Sequence, residues 1–179
     1  MQLAPFQAWS GVPTTDSRRA LARNLMDTGK AATEEILKGF EEILAVEGPM
    51  LSNRLFSLYS KQGGLSKLTP QAKKRFSQAL KEGGLNGRFG FEQDPGHDGV
   101  VILLWLPKAE KVSPRELGNR SIMDVPLNEL TEVMFEVSTE INSETEKQLI
   151  NAMAALYKIN RLSADAESRL QRAYDQLFS

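Results

Sequence analysis

Three breaks, at Gly48-Pro49, Gly63-Gly64 and Gly83-Gly84, cut residues 33 to 84 into helical stretches, and a valine- and isoleucine-rich run follows that cannot continue them. Helices this short are marginal in water by themselves, so they must bury their apolar stripes against one another. From Thr33 the residues Ile36, Phe40, Ile43 and Leu44 share one face, while Glu34, Glu35, Lys38, Glu41 and Glu42 lie largely on the other, up to Gly48. A second helix is expected from Leu51 to Lys61 with Leu51, Leu55, Leu58 and Tyr59 inward. The third has Thr69 as its N-cap and Pro70 at its first position, and runs through Ala72, Phe76, Ala79 and Leu80. Arg88 to Gln93 and Gly99 to Leu106 then read as two strands of a hairpin with a loop of about six residues.

Around this block the pattern is looser. Residues 1 to 17 space Leu3, Phe6, Trp9 and Val12 three apart among small residues, which reads as a docking arm with Trp9 as an interface anchor, and Arg18 to Met26 as a short helix. Ser113 and Glu116 have capping-box spacing for a single turn before Gly118. Pro126 opens a helix with Leu127, Leu130, Met134, Val137 and Ile141 inward. Ser143 with Glu146 leads another through Leu149, Ile150, Met153 and Tyr157, and Ser163 caps a last one carrying Ala166, Leu170, Ala173, Tyr174 and Leu177. The expected fold is mainly α with a small β-hairpin: an arm and short helix over 1–32, a winged helix-turn-helix over 33–107, and a C-terminal three-helix segment over 108–179 packed on it.

The residue inventory closes off most chemistry. With no cysteine there are no disulfides or thiolate metal sites, which fits a reducing, cytoplasmic setting. A single histidine, His97, rules out a multi-imidazole site made by one chain, and it lies in the turn-rich segment 94–99, where a side chain is expected to be solvated. That segment opens like a calcium loop with Asp94 and Asp98, but the closing position falls on Trp105. Gly84, Gly87 and Gly90 precede a strand, the reverse of the order that aims amides at a phosphate. The longest apolar run, Val100 to Leu106, is far too short for a bilayer span, and nothing near Met1 forms a continuous secretory core. The protein is therefore expected to be no enzyme and to need no metal or cofactor.

Charge is what remains. The formal net charge is -1, yet residues 50 to 88 hold eight basic side chains against one acid, whereas residues 89 to 179 hold nine basic against fifteen acidic. Arg54, Lys67, Gln71, Lys73, Lys74, Arg75, Gln78, Lys81 and Arg88 are the candidate nucleic-acid contacts: cations for phosphates, and Gln71 and Gln78 for base edges, on a third helix suited to a major groove about 12 Å wide. In this reading Lys73 and Arg75 flank an outward face formed by Gln71, Lys74, Ser77, Gln78 and Lys81. Duplex DNA is the expected partner; the alternative is a docking module whose basic face meets an acidic protein surface. Two acids at the hairpin tip, Asp94 and Asp98, argue against a wing pressed onto phosphates.

Glu47-Gly48-Pro49, the helices after it, the strand ending in Leu104-Trp105, and Ile122-Met123-Asp124-Val125-Pro126 leading into Glu129-Leu130 together resemble an uncharacterised bacterial domain family of unknown function. That family is usually found near the C-terminal end of large proteins with a helicase-type ATPase core, and the similarity spans about residues 34 to 178. The resemblance implies a winged-helix-like accessory module in DNA transactions, in genome defence or repair, with a helicase-type ATPase as partner and no catalytic residues to carry over. The chain has no ATPase motif of its own, which makes it a free-standing relative or an excised terminal domain.

Overall fold

A computed structural model describes all residues, 1–179. The fold is mainly α, with seven helices and one small antiparallel sheet of three strands. The chain divides into two compact units. The first comprises Gln7–Gln93 and Val101–Lys111, and the second Met1–Phe6, Asp94–Val100 and Val112–Ser179. The units therefore differ from the segments read from sequence: the short N-terminal helix joins the first, while residues 1–6 and the hairpin loop belong to the second.

In the first unit the order is α1 (Thr15–Met26), α2 (Lys30–Glu47), β1 (Met50–Leu51), α3 (Ser52–Gln62), α4 (Pro70–Ala79), β2 (Gly90–Gln93) and β3 (Ile102–Trp105). Helix α1 starts three residues before the expected Arg18, because the Thr14 hydroxyl accepts from the Ser17 amide while the Ser17 hydroxyl accepts from the Thr14 amide. Helix α4 begins as expected, the Thr69 side chain accepting from Ala72 N–H at 3.2 Å with Pro70 behind it, and it closes through one π-helical turn over Leu80–Gly84. Ile36, Phe40, Ile43 and Leu44 are all buried. Phe40 forms the centre of an aromatic cluster, with ring centroids 5.6 Å from Phe56, 5.3 Å from Tyr59 and 5.7 Å from Phe76, each such pair adding about 1 kcal/mol beyond its buried area.

Strand order is β1-β3-β2, with Met50 opposite Leu104 and Leu51 opposite Leu103 on one side, and Gly90 opposite Trp105 through Gln93 opposite Ile102 on the other. A Cβ at position 90 would stand 2.1 Å from the Trp105 ring, so any other residue there displaces the indole. Both strands of the hairpin are shorter than expected, and the connection between them is correspondingly longer.

The second unit holds α5 (Leu127–Ile141), α6 (Glu146–Leu156) and α7 (Ala164–Leu177) around Leu130, Val133, Met134, Leu149, Met153, Leu170 and Ala173, with Leu3 of the N-terminal segment added to that core. Residues 113–118 do not form the expected helical turn. They run extended, Arg115 bridging Ala4 and Glu116 N–H donating to the Ala4 carbonyl at 2.8 Å, and a 3-10 turn forms later, at Ile122–Asp124. Ser143 is not the cap of α6 either: Thr145 takes that position, and the Ser143 hydroxyl turns to Gln148.

Candidate nucleic-acid interface

The nine candidate contacts are four lysines, three arginines and two glutamines, and the three sets fare differently. On α4, Ala72, Phe76, Ala79 and Leu80 are buried as expected, leaving Gln71, Lys73, Lys74 and Lys81 exposed and Ser77 and Gln78 half-buried. Lys74 and Lys81 are seven residues apart, nearly two helical turns, and so lie on one line about 10 Å apart along the axis, with Lys73 on one shoulder and Gln71 and Gln78 on the other. Lys67 is exposed in the connection leading into the helix. Three lysine ammonium groups thus mark the outward side of the helix, with Lys67 exposed ahead of it.

The three arginines do not join them. Arg54 is 8% exposed and grips Glu47 with both ends of its guanidinium, Nε to Oε2 at 2.7 Å and Nη2 to Oε1 at 2.9 Å, while Glu47 also accepts from Trp9 N–H. Arg75, expected on the flank of the outward face, is 3% exposed. Its Nε donates to the carbonyls of Asn24 at 2.9 Å and Asp27 at 3.2 Å, and its Nη2 to the Thr33 hydroxyl at 3.0 Å. Those carbonyls belong to the C-terminal end of α1, where backbone acceptors are left over and a cation is favoured. Arg88 is held by Glu41 at 2.6 Å and bidentately by Glu34 at 2.6 and 2.9 Å. These bonds hold the Glu34 carboxyl below its ordinary value and keep the Arg88 guanidinium still more firmly protonated. Charge alone points each arginine toward phosphate, but a carboxylate or a helix end inside the same unit claims it first.

The two amides are engaged as well. Gln71 Nε2 lies 3.5 Å from Met26 Sδ, and Gln78 Nε2 donates to Glu82 at 2.7 Å. Trp9, read as an interface anchor, packs instead against the core of the first unit. Trp105 is half-buried, with the Lys111 ammonium 5.6 Å above its ring.

Sequence reasoning missed the most elaborate polar constellation, in the second unit. Asp94, 5% exposed, accepts from Leu127 N–H at 2.8 Å through Oδ1, and from Arg169 Nη2 at 2.6 Å through Oδ2. His97 Nε2 stands 2.6 Å from the same Oδ2, so the histidine is held rather than solvated. Arg169 also donates to the carbonyls of Pro95 and Val125. Asp94 thereby serves as a remote N-cap for α5, whose preceding residue Pro126 has no side chain for that work. A second buried set joins Glu129 to Arg115 and Arg120 at 3.0 Å each, with the Phe6 ring 4.4 Å from the Arg120 guanidinium. Each carboxylate in these sets is taken up by helix capping or by arginine.

No group of three or more His, Asp or Glu side chains is placed to hold a metal ion, and no helix is long and apolar enough to cross a membrane. Comparison with known proteins brings no match among family models, curated proteins or solved structures.

Proposed function

We propose that the first unit is a winged helix whose fourth helix meets the phosphate backbone of duplex DNA with little reading of base sequence. The observation that carries this reading is the lysine row of α4, Lys73, Lys74 and Lys81, with Lys67 ahead of it, all exposed and none drawn into an ion pair. The connectivity α2-β1-α3-α4-β2-β3 with strand order β1-β3-β2 supports the winged-helix assignment, α3 and α4 being the helix-turn-helix pair and α4 the helix that lies along the groove. Lysine is a point charge that suits phosphate and discriminates poorly among bases, and the two amides able to reach base edges already have partners in the chain. The hairpin loop is not a free wing, since Asp94–Val100 belongs to the second unit, so contact rests on the helix. The module acts without catalysis in the cytoplasm, and the family resemblance adds a helicase-type ATPase as the setting in which it works.

The alternative, docking on an acidic protein, would use the same lysine row, and the exposed Glu82 at its end opposes both partners alike. Salt titration separates the two. Four neutralised phosphates give a slope of log affinity against log salt of about -3 to -4 on duplex DNA. Replacing Lys73, Lys74 and Lys81 together by Glu removes that binding while circular dichroism stays unchanged, because all three side chains point to solvent. Absence of duplex binding at low salt, or binding that the triple variant retains, overturns the reading.

A further inference from the structure

Between Leu127 and Glu146 the chain contains six glutamates and no lysine or arginine. Glu129 is spent inside the unit on Arg115 and Arg120. Glu132, Glu136 and Glu140 recur every fourth residue along the exposed side of α5, and Glu144 follows in the turn after it. The Met1 ammonium sits on Glu140 at 2.6 Å, and no cation pairs with Glu132, Glu136 or Glu144.

Next to this row the surface is apolar where it should not be. Phe135 is 54% exposed between Glu132 and Glu136, and Phe178, after the end of α7, is 40% exposed. With Ser138, Thr139 and Leu177 these two rings line a groove of about 650 Å³. On one wall of the groove Phe178 packs on Tyr174 with ring centroids 4.7 Å apart, and the Tyr174 hydroxyl donates to the Glu144 carbonyl at 3.0 Å.

We propose that this groove is a docking surface for a basic amphipathic helix of a partner protein, one that seats a large apolar side chain between Phe135 and Phe178 and sets lysines or arginines on Glu132 and Glu136. Charge complementarity selects the occupant. A row of carboxylates repels nucleic acid and anionic lipid, and a wholly apolar partner gains nothing from it. A second copy of this chain sets the exposed Met26, which lies against Gln71, beside the α4 lysines, but it offers no exposed aromatic ring or leucine on α4 itself, where Ala72, Phe76, Ala79 and Leu80 are all buried. A helix that alternates cations with an apolar anchor satisfies both halves of the surface.

The test is fluorescence anisotropy of the whole chain with a labelled 18-residue leucine/lysine amphipathic peptide carrying one central phenylalanine. Binding is expected to weaken about tenfold in Phe135→Ser and about tenfold in Glu132→Gln/Glu136→Gln, each a loss of about 1.4 kcal/mol, with thermal unfolding unchanged because these side chains are exposed. The Lys73, Lys74 and Lys81 triple variant is expected to bind the peptide normally, which keeps this result separate from the nucleic-acid reading. Equal binding of a leucine/glutamate peptide, insensitivity to Phe135→Ser, or Phe135-dependent self-association seen by sedimentation without peptide overturns the proposal.

Discussion

Arg169 sits three residues after Ala166 and one before Leu170, on the buried stripe of its helix, and at 1% exposure it is the largest fully buried side chain of the protein. An arginine in that position signals a carboxylate waiting across the core, and Asp94 is that carboxylate. The same signal was present at Arg75, three residues after Ala72 and one before Phe76, yet its acceptors are backbone carbonyls, which no sequence pattern advertises. Breaking a buried pair from one side leaves the other charge stranded, so Asp94→Ala is expected to cost about 3 kcal/mol in denaturant unfolding, and the double variant Asp94→Ala/Arg169→Met less than the sum of the two single changes. The phenol of Tyr59 gives a second expectation. Burial pushes its pKa up to about 12, and burial likewise raises that of Tyr157. A group whose folded-state value is raised contributes its full stability below the unfolded value of about 10 and loses it as pH climbs through the folded one. Unfolding free energy should therefore hold to about pH 10 and fall steeply toward pH 12, with the ultraviolet titration of these two phenols coinciding with unfolding; early titration of both in the folded protein contradicts their burial.

At the scale of elements, α4 was legible down to its cap because Thr69, Pro70 and a four-residue apolar stripe all say the same thing. Strand β1 was not, since two residues carry no alternation and exist as a strand only through Leu103 and Leu104. The failed turn at residues 113–118 shows the opposite case: local capping chemistry was present at Ser113 and Glu116, but burying Arg115 beside Glu129 draws the segment straight. Of the candidate site, the lysines were legible and the arginines were not. Arginine, with five donors on a planar fork, is the cation most readily recruited by internal acceptors. Gly39 offers a test of packing against propensity within α2. Alanine in a helix interior is normally favoured over glycine by about 1 kcal/mol, but a Cβ at position 39 would stand 2.3 Å from the Tyr59 ring. Gly39→Ala is thus expected to lower the unfolding temperature rather than raise it, and a rise would mean that the ring gives way freely.

For the molecule as a whole, near-neutral net charge conceals a division. The first unit holds fifteen basic and ten acidic side chains, formally +5, and the second seven basic and thirteen acidic, formally -6. A net charge of -1 gives no long-range attraction for a polyanion, and salt screens local charge beyond a Debye length of about 8 Å. On the proposed reading, contact with nucleic acid comes from close fit of α4 rather than from bulk attraction, which makes the shape of the groove decisive. The major groove of B-form DNA admits a helix, whereas that of A-form RNA is deep and too narrow for side chains to reach into. Duplex DNA is accordingly expected to bind at least about tenfold more tightly than duplex RNA of the same length and salt, while AT-rich and GC-rich DNA differ by less than about threefold, since the exposed lysines meet phosphates and not base edges. Equal affinity for the two duplexes in competition titrations would reduce the lysine row to a diffuse counterion for any polyanion and remove the helix from the groove.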